Sequence, residues 1–302
     1  MSLPDFDQLY QNADDLRQPV EVAVAGGADA TVLRALRIAV DRGWVRPILV
    51  SPEADIRRIA HDCDVDLGRF AIVDTDDVAT AAVAQVRNGS ARMLMKGAVS
   101  TPELISTVLD QEHGLRTDRV LAQVVFMEIS ASGMRFLLAD TGICIQPTLD
   151  QKIDILRSAV RVAQELGARA PRVALMAATE TITKKMPETI DAQRIEELAR
   201  SGEFPNCNVS GPLSFDLAYS LDAVEKKHSR GPVAGVADVM IFPNLVSANL
   251  TVKAIMYTAN CRFGGLLVGA SCPVVFMSRA DTTETRLNSL ALALMTGRLD
   301  AG

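Results

Sequence analysis

The sequence predicts an α/β fold with open, mostly parallel sheets, and three observations support this prediction. Short apolar runs alternate with segments of helical periodicity along almost all of the 302 residues. The runs are nearly continuous in apolar residues, as expected for parallel strands that helices cover on both faces. Aromatic residues make up only 4% of the chain and hydrophobic residues 48%, so the core must consist mainly of aliphatic side chains.

The apolar runs that we expect to form strands are bounded by turn residues or by the start of a helical pattern. In chain order they are residues 20–25, 45–50, 70–73, 92–95, 136–139, 173–177, 239–242, 265–268 and 274–277. The segments between them have the apolar spacing of amphipathic helices. The predicted helices are residues 29–41, 75–87, 101–110, 150–166, 189–199, 247–259 and 282–295. Such alternation indicates right-handed connections between parallel strands.

Residues 120–139 depart from this alternation. They contain two β-rich runs around the small residues 130–133, and we predict an antiparallel hairpin there. A domain boundary beside the hairpin would give a first α/β domain of residues 1–130 and 270–302 and a second of residues 131–269. The last helix would return to the first domain, because its strand partner at 274–277 follows a glycine-rich turn.

Composition argues against several classes of protein. The net charge of −6 does not favour nucleic acid as a partner, which requires a basic face. The first residues lack the basic and apolar regions of a signal peptide, and no apolar stretch reaches the roughly 18 residues that span a bilayer. The five cysteines are scattered and form no CxxC pair, so we expect free thiols rather than disulfides or a zinc site. A cytoplasmic protein is therefore expected.

Ligands of parallel α/β sheets bind beyond the carboxyl ends of the strands, so the loops that follow strands are candidate sites. In the first such loop, Lys96 and Gly97 precede a helix that Thr101 is predicted to cap, with Pro102 at the first helical position. Free N–H groups at a helix start, beside a lysine, suit a phosphate group. Alternatively, Thr101 is only a cap and Lys96 is a surface residue.

A second loop places Ser278 and Arg279 directly before another helix, which Asp281 or Thr282 could cap. The guanidinium group of an arginine can bind phosphate through two parallel hydrogen bonds, and the serine offers a hydroxyl beside it. The alternative is a capped helix with a solvated arginine.

Two further groups of loop residues are weaker candidates. Arg116 and Arg119 follow Gly114, which could equally be a glycine cap with both arginines in water. Gly-Pro pairs at 211–212 and 231–232, and the segment 243–249 that opens a helix, are explained mostly by turn chemistry.

Several catalytic motifs are absent from the sequence. No GxGxxG follows the first strand, where only the pair Gly26 and Gly27 occurs, and there is no HExxH or GxSxG. The three histidines stand alone, which disfavours a Ser-His-Asp enzyme. We also find no paired aspartates at a strand end, which a metal- and NAD-dependent decarboxylating dehydrogenase would need.

Taken together, these loops resemble the phosphate acetyl/butyryl transferase family, and most closely its phosphate butyryltransferase branch. The resemblance covers the chain from about Met93 to the C-terminus. It is carried in order by Met95-Lys96-Gly97 with Ser100-Thr101, Gly114-Leu115-Arg116-Thr117, Leu138-Ala139-Asp140, Gly211-Pro212-Leu213, the motif from Pro232 to Asp238, Ala248-Asn249, and Ser278-Arg279-Ala280-Asp281.

The resemblance implies a reversible reaction in which acyl-CoA and inorganic phosphate give acyl phosphate and coenzyme A. It implies two α/β domains with a cleft between them, in the fold of the isocitrate and isopropylmalate dehydrogenases. It also implies a homodimer formed by the second domain, and no metal or prosthetic group. Fold alone would not decide the function.

The resemblance also gives the loop residues their roles. Arg279 matches the family's catalytic arginine, which would hold the phosphoryl group and stabilise the tetrahedral intermediate, and Ser278 would donate a hydrogen bond at the same place. Arg116 would be a second phosphate-binding arginine. The phosphate or the acyl-CoA would also contact Lys96, Gly97, Ser100, Thr101 and Asn249.

This chain departs from the family pattern at three positions. The acetyl-specific branch has Asp-Cys-Ala where this chain has Asp140-Thr141-Gly142, so the active-site cysteine of that branch is absent. Thr285 stands where that branch has an aspartate, which is proposed there as the base for the CoA thiol. Asp281, Glu284 or a water could act as the base instead, and we favour Asp281. Ser210 stands where the butyryl branch usually has aspartate, which leaves the acyl substrate open and allows a phosphate acetyltransferase. The absent cysteine and the altered aspartate position leave open a non-catalytic relative that binds CoA or phosphate.

Overall fold

The computed structural model describes residues 2–276, 278 and 280–296, and the chain divides into two compact units. The N/C unit comprises residues 6–119 together with the chain from residue 263 onward, and the middle unit comprises residues 120–262 with the first five residues. The chain passes between the units at 119/120 and 262/263, whereas the sequence suggested boundaries at 130/131 and 269/270. Both strands of the predicted hairpin therefore belong to the middle unit.

The strands of the N/C unit form a mostly parallel sheet. They are β1 (Val20–Ala25), β2 (Val45–Val50), β3 (Ala71–Val73), β4 (Met93–Lys96), β10 (Cys261–Val268) and β11 (Val274–Val275). Their order is β3-β2-β1-β4-β11-β10, and only β10 pairs antiparallel, with β11. The parallel register pairs Ala25 with Lys96 and Met95 with Val275, so β1, β4 and β11 end at the same edge.

Most helices of the N/C unit follow the strands as crossover connections. They are α1 (Phe6–Asp14), α2 (Ala30–Asp41), α3 (Glu53–Asp62), α4 (Val78–Arg87), α5 (Thr101–Val108) and α11 (Thr283–Met295). The C-terminal helix α11 packs against α1 and α2, and its residues from Thr285 to Leu294 are buried. This helix is therefore part of the core of the N/C unit.

The strands of the middle unit are also mostly parallel. Its strands are β5 (Ala122–Ile129), β6 (Arg135–Ala139), β7 (Arg172–Met176), β8 (Asn208–Leu213) and β9 (Val239–Ile241), in the order β5-β6-β9-β7-β8. Strands β5 and β6 form the predicted antiparallel hairpin, and the other pairs are parallel. The helices of this unit are α6 (Leu149–Glu165), α7 (Pro187–Arg200), α8 (Phe215–Tyr219), α9 (Leu221–Lys226) and α10 (Leu245–Thr258).

The predicted α/β class with mostly parallel strands is confirmed, and most elements begin and end within a few residues of their predicted bounds. The strand predicted at 265–268 begins earlier, at Cys261, and the one predicted at 274–277 is shorter, while Met277 lies outside the described residues. Helices α1, α3, α8 and α9 and strand β8 were not predicted.

Strand β8 was assigned to a loop because it contains Gly211 and Pro212. The structure corrects this assignment: β8 lies at the edge of its sheet, where a proline costs no hydrogen bond to a further strand. Gly211 is needed for packing, since a Cβ there would lie 2.5 Å from the Cβ of Leu175 on the neighbouring strand. In the described part of the chain, no helix has the length and apolar character required to cross a membrane.

Candidate functional site

Three loops meet at one edge of the sheet in the N/C unit. Strands β1, β4 and β11 are parallel neighbours, so the residues that follow Ala25, Lys96 and Val275 emerge on the same side. Each loop leads to a helix, namely α2, α5 or α11. Such an edge, with several helix starts, is where parallel α/β sheets bind anionic ligands.

Lys96 is the last residue of β4 and is almost completely buried, with 2% of its surface exposed. The alternative that it is a surface residue is therefore wrong. Its ammonium group donates a hydrogen bond of 3.4 Å to the carbonyl oxygen of Gly97. Lys96 is a candidate for binding an anion because it ends β4 at the edge of the sheet where the loops after β1 and β11 also begin.

The loops after β1 and β4 pack against each other backbone to backbone. The N–H of Gly97 donates to the carbonyl of Ala25 at 2.7 Å, and the N–H of Ala98 donates to the carbonyl of Gly26 at 2.8 Å. A Cβ on Gly97 would lie 2.1 Å from the carbonyl oxygen of Gly26, so no larger residue fits there without moving the backbone. The Gly26-Gly27 pair, weak as a sequence motif, is one of the partners in this contact.

Ser100, and not Thr101, caps helix α5. The Ser100 hydroxyl oxygen accepts a hydrogen bond from the N–H of Glu103 at 3.3 Å, and Thr101 is the exposed first residue of the helix. Both residues are good caps, and the helix starts one residue earlier than predicted, with Thr101 rather than Pro102 at its first position. The hydroxyl of Ser100 therefore already serves the helix start, and Thr101 is exposed.

The loop after β11 has its own hydrogen-bonded turn. The carboxylate of Asp281 accepts a hydrogen bond of 2.6 Å from the N–H of Ser278, and the Ser278 hydroxyl accepts one from the N–H of Ala280 at 3.3 Å. Thr282 caps α11 by accepting from the N–H of Thr285, which decides between the two predicted caps. Arg279 lies outside the described residues.

Arg116 is exposed and lies next to the segment between β10 and β11. It forms an isolated bridge with Ala270, and the hydroxyl of Thr117 donates to the carbonyl of Gly269 at 2.7 Å. The structure does not place Arg116 in the three loops that follow β1, β4 and β11. The proposed glycine cap is also wrong: Leu109 caps α5, and Gly114 lies in the turn that follows.

Asn249 belongs to the middle unit and lies in helix α10. Its side-chain amide donates a hydrogen bond of 3.2 Å to the carbonyl of Thr141, in the loop after β6. The same loop is organised by the buried carboxylate of Asp140, which accepts four hydrogen bonds from backbone N–H groups of Gln123, Gly142, Ile143 and Cys144. Asn249 therefore holds the loop that contains Thr141 and Gly142. At these two residues the chain differs from the acetyl-specific branch.

Asp238, the last residue of the motif from Pro232, has a structural partner. Its carboxylate accepts two hydrogen bonds from the guanidinium of Arg172, at 2.8 and 2.7 Å, and a third from the Arg172 backbone N–H at 2.9 Å. These contacts tie the start of β9 to the start of β7. The aspartate at this position is therefore explained by a structural role, and no catalytic role is needed.

Sequence reasoning missed Arg286, which is only 1% exposed and lies in α11 directly after the loop containing Ser278. Its Nε–H donates a hydrogen bond of 2.7 Å to the hydroxyl of Thr31, at the start of α2. The only signal in the sequence was an arginine among the apolar residues of α11. Such a position does not by itself show whether the guanidinium is buried or solvated.

Comparison with known proteins identifies the relatives of this chain. The family model described as phosphate acetyl/butaryl transferase matches residues 75–294. A phosphate butyryltransferase of Clostridium acetobutylicum is 40% identical over 97% of this chain and 98% of its own length. A phosphate acetyltransferase of Thermotoga maritima is 35% identical over 90% of this chain and 94% of its own. Among solved structures, a branched-chain phosphotransacylase from Enterococcus faecalis superposes with a TM-score of 0.81 at 32% identity, covering 91% of this chain and 98% of that one.

Proposed function

Because the chain belongs to the phosphate acetyl/butyryl transferase family, we propose that it transfers a short-chain acyl group reversibly between coenzyme A and inorganic phosphate. It is an acyltransferase, and butyryl-CoA or a similar short acyl-CoA is the proposed acyl donor. The observation that carries the proposal is the similarity to a phosphate butyryltransferase over nearly the whole length of both chains.

The reaction needs little acid–base chemistry in the direction of acyl phosphate. An oxygen of phosphate attacks the thioester carbonyl, and the carbonyl oxygen gains negative charge in the tetrahedral intermediate. The carbon–sulfur bond then breaks, and the CoA thiolate leaves as acyl phosphate forms. Phosphate and thiolate are competent nucleophiles, so positioning them and stabilising the oxyanion supply most of the rate.

The loop after β11 is proposed to carry the catalytic groups. The guanidinium of Arg279 would bind the phosphoryl oxygens and stabilise the oxyanion, and the hydroxyl of Ser278 would donate a hydrogen bond to the same oxygen. In the reverse direction the CoA thiol must lose a proton, and Asp281 is the proposed base because Thr285 has no titratable group. The carboxylate of Asp281 is within hydrogen-bond distance of Ser278 N–H, which supports a role in the same loop.

The loop after β4 is proposed to bind phosphate. The buried ammonium of Lys96 supplies the charge, Gly97 allows the close backbone packing, and Ser100 and Thr101 stand at the start of α5. Arg116 is proposed as a second phosphate-binding arginine, and Asn249 as a residue that contacts acyl-CoA.

A direct assay tests this function. The protein is incubated with phosphate and a series of acyl-CoAs from C2 to C5, and free thiol is followed over time. We expect phosphate-dependent thiol release, fastest with butyryl-CoA or a near homologue. A preference for acetyl-CoA would instead assign the chain to the acetyltransferase activity of its Thermotoga relative, and no phosphate-dependent release with any donor would overturn the proposal.

We also propose that the protein is a homodimer formed through an apolar surface of the middle unit. Helix α10 is apolar on its buried side at Ala248 and Val252, and its other side exposes Val246, Leu250 and Tyr257 by 62%, 64% and 80%. These three residues lie on one face of the helix, since they are four and seven positions apart. A helix that is apolar all round is normally buried.

A second copy of this chain is the occupant that suits the surface. In a two-fold interface the same surface patch of both subunits is in contact, so a nearly uncharged apolar face is self-complementary. Lys253 is the only charged residue of α10.

Sedimentation equilibrium tests the dimer. Leu250→Glu introduces a charge at the proposed interface and should yield monomers. Leu221→Glu is the matched control, because Leu221 is 63% exposed on α9 and should leave the dimer intact. A monomeric parent protein, or a dimer that Leu250→Glu does not weaken, would contradict this interface.

A further inference from the structure

We propose that Arg286 is a positioning residue, whose buried guanidinium holds the first turn of α11, directly after the loop that contains Ser278 and Asp281, against the start of α2 in the geometry that acyl transfer requires. The inference rests on the proposed function of that loop. Arg286 belongs to none of the motifs that carry the family resemblance, and it is assigned here from its contacts alone.

The contacts of Arg286 reach a loop that is distant in sequence. Its Nε–H donates to the Thr31 hydroxyl at 2.7 Å, and that hydroxyl donates to the carboxylate of Asp29 at 2.6 Å. Asp29 in turn caps α2 by accepting from the N–H of Val32 at 2.9 Å. A chain of three hydrogen bonds therefore connects the first turn of α11 to the loop after β1.

Arg286 is also close in sequence to the loop that precedes its own helix. Thr282 is the cap of α11, so Asp281 precedes the cap and Arg286 is the fourth helical residue. Side chains at these two positions commonly pack against each other at helix starts, usually as an apolar pair. Here the pair is an aspartate and an arginine, and the Asp281 carboxylate also accepts the Ser278 N–H.

The electrostatics agree with this placement. Burial lowers the pKa of the Arg286 guanidinium, and the carboxylates of Asp29 and Asp281 oppose that shift by favouring its charged form. Burial alone would raise the pKa of Asp29, but the hydrogen bonds from Thr31 and Val32 and the charge of Arg286 bring it below its usual value. The charges of two carboxylates, one from each loop, thus act on the guanidinium.

An apolar residue would be the simpler choice for this position in the core. The residues that follow in α11 are largely apolar, and a buried charge is weak support for stability because of its desolvation cost. An arginine can do what an apolar residue cannot, because its planar guanidinium fixes the separation between the loop after β1 and the loop after β11. A small displacement of groups that bind the reacting atoms can lower the rate strongly.

Steady-state kinetics with two variants tests the proposal. Arg286→Met removes the charge and the hydrogen bond and should lower kcat by about 10- to 100-fold with little change in KM for acyl-CoA. Arg286→Lys keeps the charge but lacks the planar guanidinium, so it should recover only part of kcat. Asn288→Ala is the matched control, since Asn288 is also buried in α11 but bonds to Tyr10 and the Phe263 carbonyl instead.

Hydrogen exchange gives a readout that does not depend on activity. Arg286→Met should accelerate exchange in peptides covering 278–282 and 29–32, and Asn288→Ala should not. If the parent protein has no acyltransferase activity, the proposed function fails while this measurement still tests the anchoring. Unchanged kcat and unchanged exchange in a folded Arg286→Met protein would overturn the inference, as would an equal loss of kcat in Asn288→Ala.

Discussion

The carboxylate of Asp140 accepts a hydrogen bond of 2.6 Å from the backbone N–H of Cys144, whose thiol lies beside it. Burial, together with the negative charge of Asp140, raises the pKa of the Cys144 thiol to about 12. The thiol also donates a hydrogen bond of 3.6 Å to the carbonyl of Leu121. This cysteine follows Asp140 by four residues, whereas the cysteine of the acetyl-specific pattern would follow it directly. Its environment is that of an inert thiol.

Cys144 should therefore react slowly with alkylating reagents. At pH 8 we expect iodoacetamide to modify Cys144 and Cys272, whose pKa burial also raises to about 12, about 100-fold more slowly than a free cysteine peptide. Asp140→Asn removes the neighbouring charge, so the pKa of Cys144 should fall and its alkylation should accelerate. Mass spectrometry of time-quenched samples measures both sites. Equal acceleration at Cys272 would mean general loosening rather than a local electrostatic effect.

Two adjacent hydroxyl residues at the start of α5 have different roles, because only the first of them caps the helix. Ser100→Ala removes the acceptor for the N–H of Glu103 and should lower the free energy of unfolding by about 1 kcal/mol. Thr101→Ala leaves the cap intact and should change it by less than about 0.5 kcal/mol. Urea denaturation of both variants gives the comparison. A larger loss for Thr101→Ala would show that the helix begins at a different residue.

The ion pair between Arg172 and Asp238 should contribute far more to stability than an exposed pair. Asp238→Ala would leave the Arg172 guanidinium and backbone N–H without their acceptor, at a cost of about 2–4 kcal/mol. The control is Asp222→Ala, which breaks the exposed pair with Lys226 and should cost no more than about 0.5 kcal/mol. Thermal and chemical denaturation should rank the two variants in this order, and similar losses would refute the assignment.

Arg279 should be essential for turnover if the proposed mechanism is right. Arg279→Ala removes the group that stabilises the oxyanion, so kcat should fall by two or more orders of magnitude, equivalent to about 3 kcal/mol. Arg230→Ala, at an exposed arginine of the middle unit, serves as the control. Thiol release at saturating phosphate measures the effect, and near-normal activity in folded Arg279→Ala protein would reject this role.

The positions of most strands and helices could be predicted because burial on both faces of a parallel sheet leaves continuous apolar runs. Strand β8 escaped this rule, since Gly211 and Pro212 are typical turn residues and only their position at the sheet edge makes them acceptable. The capping residue of a helix could likewise be predicted only to within one position. Ser100 and Thr101 can both cap a helix, and the backbone conformation, not the residue type, selects between them.

The loops that form the candidate site could also be found from the sequence, because parallel sheets place the ends of their strands together and the motifs lie at those ends. The sequence could not give the environment of the charged residues within them. Lys96 was equally compatible with a surface position, and Arg286 had no special signal. The burial of Arg286 depends on Thr31, which is 255 positions away in the chain.

The sequence by itself therefore determined the α/β class, the candidate loops and, through its ordered motifs, the family. These features follow from local patterns of apolar residues, glycines and caps, which each segment carries within itself. The tertiary structure decided that Lys96 and Arg286 are buried, that Asp140 and Asp238 serve packing, and that Gly97 must be glycine. Such facts depend on contacts between segments far apart in the chain, and no local pattern records which segments meet.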